Sequence, residues 1–428
     1  MEMFNYYLKL SLRNLTKHRL FFSLMIASLA VGVGVFVANI AIIKSMANDP
    51  LPHKSDKVFN VSLNIWTNDN PNAKLLHIMR YDDAMHLLNN EIATHTMVHY
   101  QSQVYTRAVD SKSLSRVQAI VRATTPGFFP LTDAPFAFGG AWQNDRAQQV
   151  VISDSLNKQL FNGINSVGKH IDVDGKPLEI VGVLAPWQLK PKFYQAAREP
   201  FTPTDDIFAP LETAMDNEWS VRVQNMSTEL IKTVSDSRGK NAFFLQAFTQ
   251  LDTPEQKMEM QNYLDNYSDL RKEAGEYLRA NDNRLLDVNQ WLEFNKVVDE
   301  QMLAFGLASS LFLAVCIFNA SSLLLARYHS ARFESGLRRA VGARVKDLFY
   351  QGLVESTLIG AMCAVLALVF SWVFLQLSIS LFPALENTSD IDIGLIVIAI
   401  SIALISSFLS MVYPLLSSCR QSLSTVLK

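Results

Sequence analysis

Four long apolar stretches constrain this 428-residue chain more than any other feature of its sequence. Each is long enough to cross a hydrocarbon core of about 30 Å, which takes about 20 helical residues. None has the polar stripe that marks an amphipathic helix of a soluble protein. The only charged residue within them is Glu355, near the start of the third stretch. We therefore predict membrane-spanning helices at residues 21–43, 301–325, 353–377 and 393–416.

Lys and Arg residues are concentrated on one side of these spans. Segments 1–20, 326–352 and 417–428 together carry twelve basic and three acidic side chains, whereas segment 378–392 has three acidic side chains and no basic one. Because loops rich in Lys and Arg stay in the cytoplasm, both termini are predicted to be cytoplasmic. The 257-residue block 44–300 and the short loop then lie outside the cell membrane. The first span is too long for the core of a cleaved signal sequence, so we expect it to be retained.

The block 44–300 mixes strand and helix patterns. Its clearest local signal is the pair Asp174-Gly175, a favoured tight-turn sequence that joins two alternating runs within residues 168–184. Thr253, followed by a proline, predicts the N-terminal cap of a long polar helix. The predicted fold class is thus a four-helix membrane protein with a large α+β domain inserted between helices 1 and 2.

A proline-rich stretch interrupts the block at residues 186–210. It contains too many helix and strand breakers for a regular element, so we interpret it as a boundary before a second subdomain at about 205–290. The three cysteines of the chain all lie outside the block, which is therefore expected to fold without disulfide bonds.

No known catalytic motif was found in the sequence. It contains no P-loop, no G-x-S-x-G, no H-E-x-x-H and no C-x-x-C pattern, so we predict that the chain is not an enzyme and binds no cofactor or nucleotide itself. His95, Met97 and His99 share one side of a predicted strand, and we interpret them as a half-exposed sheet face and not as a metal site. The acidic excess of the outer block argues against nucleic-acid binding.

The polar residues inside the spans are few. Asn39 and Asn319 are expected to form hydrogen bonds between helices, and no buried charge pattern suggests an ion or proton path. A transporter driven by an ion gradient is therefore disfavoured. If the chain transports a solute, its energy comes from a partner.

The cytoplasmic segment "ARYHSARFESGLRRAVGARVKDLFYQ" (326–351) contains no proline and two glycines. We predict that the second span continues as a helical stalk, turns near Gly336 and forms a short helix from about residue 338 to 349. Leu337, Val341, Val345 and Leu348 would form one apolar stripe on this segment. The stripe suits either a helix lying in the lipid headgroups or a helix docked in the groove of another protein.

The segment "ARFESGLRRAVGARVKDLFYQGLVES" resembles the signature of FtsX-type permeases of ABC transporters, and most closely the macrolide-exporter (MacB-type) branch. Ser335 departs from the family pattern at an apolar position, and the spacing between the first Arg and Glu is one residue instead of two. The outer sequences 124–142 and 150–184 also resemble the family's periplasmic core domain, and segment 1–20 resembles its cytoplasmic amphipathic elbow helix. The apolar face predicted for segment 1–20 consists of Phe4, Leu8, Leu12 and Leu15. The residues that match its signature are Arg332, Glu334, Gly336, Arg338, Arg339, Ala340, Gly342, Ala343 and Glu355.

The resemblance implies roles for these residues. Residues 338–348 correspond to a coupling helix that docks on a cytoplasmic ABC ATPase dimer, which would bind ATP and Mg²⁺ on a partner chain. Arg332, Glu334 and Gly336 belong to the stalk that precedes it, and Glu355 marks the start of the third span. The expected contacts with the ATPase are made by Arg338, Arg339, Ala340, Val341, Gly342, Ala343, Arg344, Val345 and Asp347.

The resemblance also implies a bacterial inner-membrane location with the large domain in the periplasm. Four spans correspond to half a membrane unit, so a second permease is expected. In the C-terminal tail, Pro414, Arg420, Leu427 and Lys428 match the family's ending, whereas Leu416 and Leu423 replace its usual Arg and Pro. This weakened ending and Ser335 slightly favour a sister subunit over an identical one. The family implies export of a peptide, antibiotic or other amphiphile by mechanotransmission, with a periplasmic adaptor and an outer-membrane channel as further expected partners. Two alternatives stay open, a lipoprotein-releasing permease and an FtsX-like regulator of cell-wall hydrolases.

Overall fold

The computed structural model describes residues 2–65, 75–109, 115–222, 226–227, 230–279, 281–330, 333, 337, 341–342, 344–381 and 392–419. The helices are α1 (Glu2–Lys17), α2 (Arg19–Met46), α3 (Tyr81–Leu88), α4 (Phe128–Thr132), α5 (Asp154–Phe161), α6 (Leu211–Asp216), α7 (Pro254–Glu273), α8 (Val288–Phe294), α9 (Glu300–Ser330), α10 (Val345–Leu381) and α11 (Ile393–Cys419). The strands are β1 (Val58–Ser62), β2 (His95–Ala108), β3 (Val117–Thr124), β4 (Phe136–Gly139), β5 (Gln149–Ile152), β6 (His170–Val173), β7 (Lys176–Leu184), β8 (Ile207–Pro210), β9 (Met226–Ser227), β10 (Ala242–Phe243), β11 (Gln246–Gln250) and β12 (Arg284–Asp287). Two compact units result, one made of Met1–Ala47 with Val298–Lys428 and the other of Asn48–Val297.

The first unit, here called the membrane unit, contains α2, α9, α10 and α11, which are long and apolar enough to cross a membrane. Each predicted span lies within one of these helices. In an apolar stretch of 18 residues of α2, 50% of the residues are buried, compared with 17% in the corresponding stretch of α9. The membrane unit is therefore organised around α2, while α9 exposes most of its surface.

Close helix approach in the membrane unit depends on small residues. A Cβ atom placed on Gly34 of α2 would lie 2.7 Å from Cβ of Phe370 in α10, and one on Gly32 would lie 2.9 Å from Sγ of Cys316 in α9. Real Cβ atoms do not approach this closely, so the helices must move apart if either glycine is replaced. Small residues at helix crossings are the usual device for bringing backbones together in a membrane.

The second unit, here called the outer unit, is built on a ten-stranded sheet among the described residues. The strand order is β12-β1-β11-β2-β3-β8-β5-β7-β4, and β6 pairs with both β2 and β7. Hydrogen bonding therefore runs in a closed circuit through β2, β3, β8, β5, β7 and β6. Pairs β3/β8 and β5/β7 are parallel, and the other pairings in this sheet are antiparallel.

Local sequence signals in the outer unit correspond to the observed structure. The β6–β7 hairpin turns at Asp174 and Gly175, whose φ angles of 48° and 88° are both positive, as a type I′ turn requires. The side-chain oxygen of Thr253 caps α7 by accepting a hydrogen bond from the backbone N–H of Gln256. The side-chain oxygen of Gln256 in turn accepts from the backbone N–H of Thr253, which completes a capping box. The predicted hairpin and helix start are thus present.

The prediction that the proline-rich segment 186–210 separates two subdomains is wrong. Its end forms β8, which lies between β3 and β5 inside the sheet, and β11 and β12 of the expected second subdomain pair with β1. Residues 205–290 therefore do not form a separate body, since the whole of Asn48–Val297 is one compact unit. The local sequence favours a break, but the pairing partners on both sides of β8 provide its hydrogen bonds.

Candidate functional site

The candidate site is the cytoplasmic end of the membrane unit, where the sequence predicts a stalk and a coupling helix. Of the predicted residues here, the structure describes Leu337, Val341, Gly342, Arg344, Asp347, Leu348 and Glu355, together with the backbone of Val345. The others lie outside the described residues: Arg332, Glu334, Gly336, Arg338, Arg339, Ala340 and Ala343.

The second membrane helix extends beyond its apolar span. Helix α9 runs to Ser330, and Phe333 and Leu337 are also helical. The backbone N–H of Val341 donates to the carbonyl oxygen of Leu337 over 3.1 Å, which is a hydrogen bond of α-helical spacing. These residues form the described part of the predicted stalk.

The chain turns at Val341 and Gly342, and this corrects the prediction. Gly342 has a φ of 111°, which L side chains rarely adopt, and Arg344 is not helical. Helix α10 then starts at Val345, where a carboxylate oxygen of Asp347 accepts a 2.8 Å hydrogen bond from the backbone N–H of Arg344. Residues 338–349 are therefore not one continuous helix, and Val345 onward belongs to the third membrane helix.

Apolar side chains at this end are left uncovered. Phe333, Leu337 and Val341 follow one another at intervals of four residues and are 64%, 50% and 83% exposed. Side chains spaced by four residues lie on the same face of a helix. The described residues thus present an apolar row beside the turn at Gly342, next to a charged sequence.

A buried ion pair and a cation–π contact connect three membrane helices near the cytoplasmic end of α9. The guanidinium of Arg327, in α9, donates to the carboxylate of Glu355, in α10, and both side chains are largely buried. The guanidinium carbon of Arg327 also lies 4.5 Å from the ring centroid of Phe22, in α2, a cation–π distance. Arg327 was one of the charges used only to predict orientation, so its pairing with Glu355 adds a site residue.

The N-terminal helix α1 packs against the start of α10. The Tyr7 hydroxyl donates to Asp347 Oδ1 over 3.5 Å, and Tyr7, Ser11 and Leu15 form its buried face. The predicted face included Leu12, which is 47% exposed instead. The buried stripe is therefore rotated relative to the purely apolar one, because Tyr7 and Ser11 face the neighbouring helices.

Besides the Arg327–Glu355 pair, serine side chains form hydrogen bonds between the described membrane helices. The Ser407 hydroxyl donates to the backbone carbonyl of Ser356 over 2.8 Å, which links α11 to α10. Asn39 and Asn319 make no side-chain hydrogen bond to the described residues, so their role between helices stays a prediction. Asn319 is exposed on the surface of α9.

At the opposite end of the membrane unit, Lys44 and Asp392 form an ion pair at 2.6 Å between the end of α2 and the start of α11. Both side chains are about half exposed, at 50% and 52%. The hydrogen bond from Lys44 lowers the pKa of Asp392. An exposed pair of this kind contributes little to stability, in contrast to the buried pair at Glu355.

Two of the three residues on the predicted half-exposed sheet face are buried, whereas His95 is half-buried. Met97 and His99 are 0% and 1% exposed because neighbouring segments cover β2 on both sides, so the half-exposed sheet face is wrong at these positions. His99 accepts from Arg122, and His86 stacks on the rings of Tyr263 and Tyr267. Among the described residues no three metal-ligating side chains come together.

Comparison with known families gives two matches that together span most of the chain. A family model described as the MacB-like periplasmic core domain matches residues 22–241, just over half of the chain. A second, described as the FtsX-like permease C-terminal, matches residues 306–423 and includes the candidate site.

Two curated relatives of the chain are proteins named MacB. The macrolide export ATP-binding/permease protein MacB of Shewanella sp. (strain W3-18-1) is 24% identical over 307 residues, which is 67% of this chain and 41% of that protein. The protein of the same name from Salmonella typhi is 25% identical over 246 residues, 57% of this chain and 33% of that protein. The chain thus spans about two fifths or less of the length of these relatives.

Two of the solved structures that are similar to this chain are a periplasmic region and an extracellular domain. The periplasmic region of MacB from Actinobacillus actinomycetemcomitans has 12% identity and a TM-score of 0.37, covering 59% of this chain and 98% of that one. The extracellular domain of the ABC-type transporter YknZ from Gram-positive bacteria has 13% identity and a TM-score of 0.34, covering 53% of this chain and 99% of that one.

Proposed function

This chain belongs to the family of FtsX-type ABC transporter permeases with a MacB-like periplasmic core domain, and from that premise we propose that it converts ATP hydrolysis by an ABC ATPase into motion of its outer unit. The proposed location is the bacterial inner membrane, with both termini in the cytoplasm and the outer unit in the periplasm. This orientation follows from the basic segments, which lie at one end of the spans.

The observation that carries the proposal is the exposed apolar row next to the turn at Gly342. Phe333, Leu337 and Val341 are exposed to solvent in the isolated chain, and burial in the groove of a partner would remove this apolar area from water. Two helices meet at the turn, since α9 ends before it and α10 begins after it. A partner that binds the row can therefore displace both helices.

The ion pair of Arg327 and Glu355 supplies a rigid connection for this displacement. It holds α9 to α10 close to the membrane surface, and the ring of Phe22 adds α2 to the same cluster. Helices α2 and α9 are covalently continuous with the two ends of the outer unit. A push on the cytoplasmic turn is thus transmitted to the helices that lead into the outer unit.

The proposed partner is a dimer of cytoplasmic ABC ATPases that binds ATP and Mg²⁺. The relatives are described as ATP-binding/permease proteins, and the present sequence contains no P-loop. The basic residues around the turn, among them Arg344, would contact the ATPase at the rim of the apolar row. Polar rims around an apolar centre are the common arrangement of protein interfaces.

A second permease is proposed to cover α9. Only 17% of an apolar 18-residue stretch of this helix is buried, and the side chain of Asn319 is exposed on the helix surface. An amide facing lipid is unfavourable, whereas an amide between two helices can form a hydrogen bond. The second permease could be an identical chain or a sister subunit, and a disulfide formed between chains by Asn319→Cys would reveal an identical one.

The proposed cargo is an amphiphilic molecule, such as a peptide or antibiotic, that is exported with the help of a periplasmic adaptor and an outer-membrane channel. The support is the name of the curated relatives, which describes macrolide export. The membrane spans contain no charged pathway, apart from the paired Glu355, which agrees with work done by the outer unit instead of by a channel through the spans.

The proposal is tested by placing a charge in the apolar row. In the complex of the chain with its ATPase, Val341→Glu should abolish photocrosslinking from position 337 to the ATPase and reduce transport at least tenfold. Leu230→Glu is the matched control, because Leu230 is similarly exposed, at 79% compared with 83%, but lies in the outer unit. Normal crosslinking and transport in Val341→Glu would contradict the docking role.

A further inference from the structure

One side of helix α1 carries a row of basic side chains. Lys9, Arg13 and Lys17 are spaced by four residues, so they lie along the same side of the helix, and all three are exposed. The sequence from residue 6 to residue 20 contains no Asp or Glu. These three residues, here called the basic row, therefore form a purely positive surface.

The opposite side of α1 is held by packing. Tyr7, Ser11 and Leu15 are 8%, 0% and 8% exposed, and the Tyr7 hydroxyl donates to Asp347 at the start of α10. With 3.6 residues per turn, Arg13 lies about 200° around the helix axis from Ser11. The basic row therefore faces away from the neighbouring helices.

The described acidic side chains at this end of the membrane unit have other partners. Asp347 accepts from the Tyr7 hydroxyl and from the backbone N–H of Arg344, and Glu355 pairs with Arg327. No described acidic side chain forms an ion pair with the basic row. The row is thus available to an anionic partner from outside the chain.

The contacts of α1 place the basic row at the level of the lipid headgroups. Helix α2, which is long and apolar enough to cross a membrane, begins at Arg19, two residues after Lys17. Asp347, which Tyr7 contacts, lies six residues before the predicted third span, a helical distance of about 9 Å. The headgroup layer on each side of the hydrocarbon core is about 5 to 8 Å thick. Helix α1 therefore stays within or close to this layer along its length.

Exposed apolar side chains accompany the basic row. Tyr6, Leu12 and Leu20 are 57%, 47% and 76% exposed. Exposed basic and apolar residues on one helix are typical of helices that lie in the membrane interface. The positive-inside rule counts charges in a loop without regard to helix face, so membrane orientation alone does not require this arrangement.

We infer that the basic row of α1 binds the headgroups of acidic phospholipids, such as phosphatidylglycerol. Each Lys or Arg near an anionic lipid surface increases the affinity about fivefold. A zwitterionic headgroup such as phosphatidylcholine has the phosphate but no net charge, so it attracts the row much less. Lipid is favoured over a protein as the occupant because α1 leads directly into a membrane-crossing helix.

Native mass spectrometry of the purified full chain in a neutral detergent measures the binding of single lipids. The first phosphatidylglycerol should bind at least about fivefold more tightly than phosphatidylcholine with the same acyl chains. The triple variant Lys9→Gln, Arg13→Gln and Lys17→Gln should lose this difference, whereas Lys9→Arg with Lys17→Arg should keep it because the charges remain. All three side chains are exposed, so both variants should unfold at the temperature of the unchanged chain.

The matched control removes three exposed lysines of the outer unit, by Lys158→Gln, Lys176→Gln and Lys272→Gln. It should keep the full preference for phosphatidylglycerol. Equal affinity for both lipids in the unchanged chain, or a preference that survives in the triple variant of the basic row, would overturn the proposal. Competition by soluble glycerol 3-phosphate would indicate a site for free phosphate, and weaker ATPase binding by that variant in phosphatidylcholine nanodiscs would indicate a protein contact; both results would also overturn it.

Discussion

Glu355 is the only charged side chain within the four predicted spans, and its surroundings explain how the membrane unit accommodates it. The side chain is 4% exposed and faces Arg327, which in turn lies over the ring of Phe22. A buried charge is stable in such a place only when an opposite charge or hydrogen-bond donors accompany it. The ion pair therefore depends on α9 and α10 keeping their present contact.

Replacing Glu355 should be far more harmful than breaking the exposed pair of Lys44 and Asp392. Glu355→Gln leaves the Arg327 charge without its partner, and removal of one member of a buried pair costs about 3 to 5 kcal/mol. Lys44→Gln should have a much smaller effect, because water screens the exposed pair. Thermal unfolding of the purified chain compares the two variants, and equal effects would show that the Arg327–Glu355 pair is not buried in the folded membrane unit.

The stability of the outer unit should fall as the pH is lowered from 7.5 to 5.5. Burial, followed by the charge of Arg122, lowers the pKa of His99 well below 6.5, so the unfolded chain binds a proton that the folded chain does not bind. That contribution to stability is lost as the pH falls through the unfolded value of about 6.5, and it amounts to about 1.4 kcal/mol over this range.

Denaturant unfolding at the two pH values measures this dependence. His99→Gln should weaken the dependence by about that amount, while the lowered pKa values of His77 and His86 should preserve a smaller slope of the same sign. A His99→Gln variant with the slope of the unchanged chain would show that His99 titrates normally.

The sequence was sufficient to identify Glu355 but not its partner. Arg327 is 28 residues away on another helix, and the sequence between them gives no local pattern that would connect the two. His99 was misjudged for a similar reason: alternation along β2 shows which residues share a face, but the segments that cover both faces come from elsewhere in the chain.

At the scale of elements, signals that act within a few residues were reliable. The Asp174-Gly175 turn and the Thr253 cap depend on neighbouring backbone groups, so the sequence contains all the necessary information. Strand β8 depends instead on partners in β3 and β5, and its proline-rich context concealed it. The break at residue 342, within the predicted coupling helix, depended likewise on where α10 begins.

Gly342→Ala should weaken binding of the ATPase without disturbing any side-chain packing. A Cβ atom at this position meets nothing within 4 Å, so the effect comes from its φ of 111°, a conformation that costs a non-glycine residue about 1 to 2 kcal/mol. The affinity for the ATPase should therefore fall by about fivefold to thirtyfold.

Gly140→Ala serves as the control for Gly342→Ala, because Gly140 is equally open but its φ is not in the strained range. Affinity is measured by binding of the purified ATPase to the chain in nanodiscs. Unchanged affinity in Gly342→Ala would show that the bound state does not use this turn.

At the scale of the whole molecule, the order of spans and outer domain could be predicted because a membrane imposes a length and a hydrophobicity on each crossing helix. The contacts of α2 with the other spans could not, since all four helices are similarly apolar in sequence and the choice of a central helix depends on close approach at Gly32 and Gly34. The exposed surface of α9 and the apolar row at its end mark the two places where partners are proposed.

The most direct test of the proposed coupling is a distance measurement across the chain during ATP turnover. Spin labels at Leu230→Cys in the outer unit and Val397→Cys in α11, both exposed positions, would be placed in a Cys419→Ser background. The account predicts that the distance distribution changes when the ATPase is trapped with ATP, and that Val341→Glu abolishes this change. An identical distribution in all nucleotide states, or an unchanged response in Val341→Glu, would contradict the transmission of ATPase motion through the cytoplasmic turn.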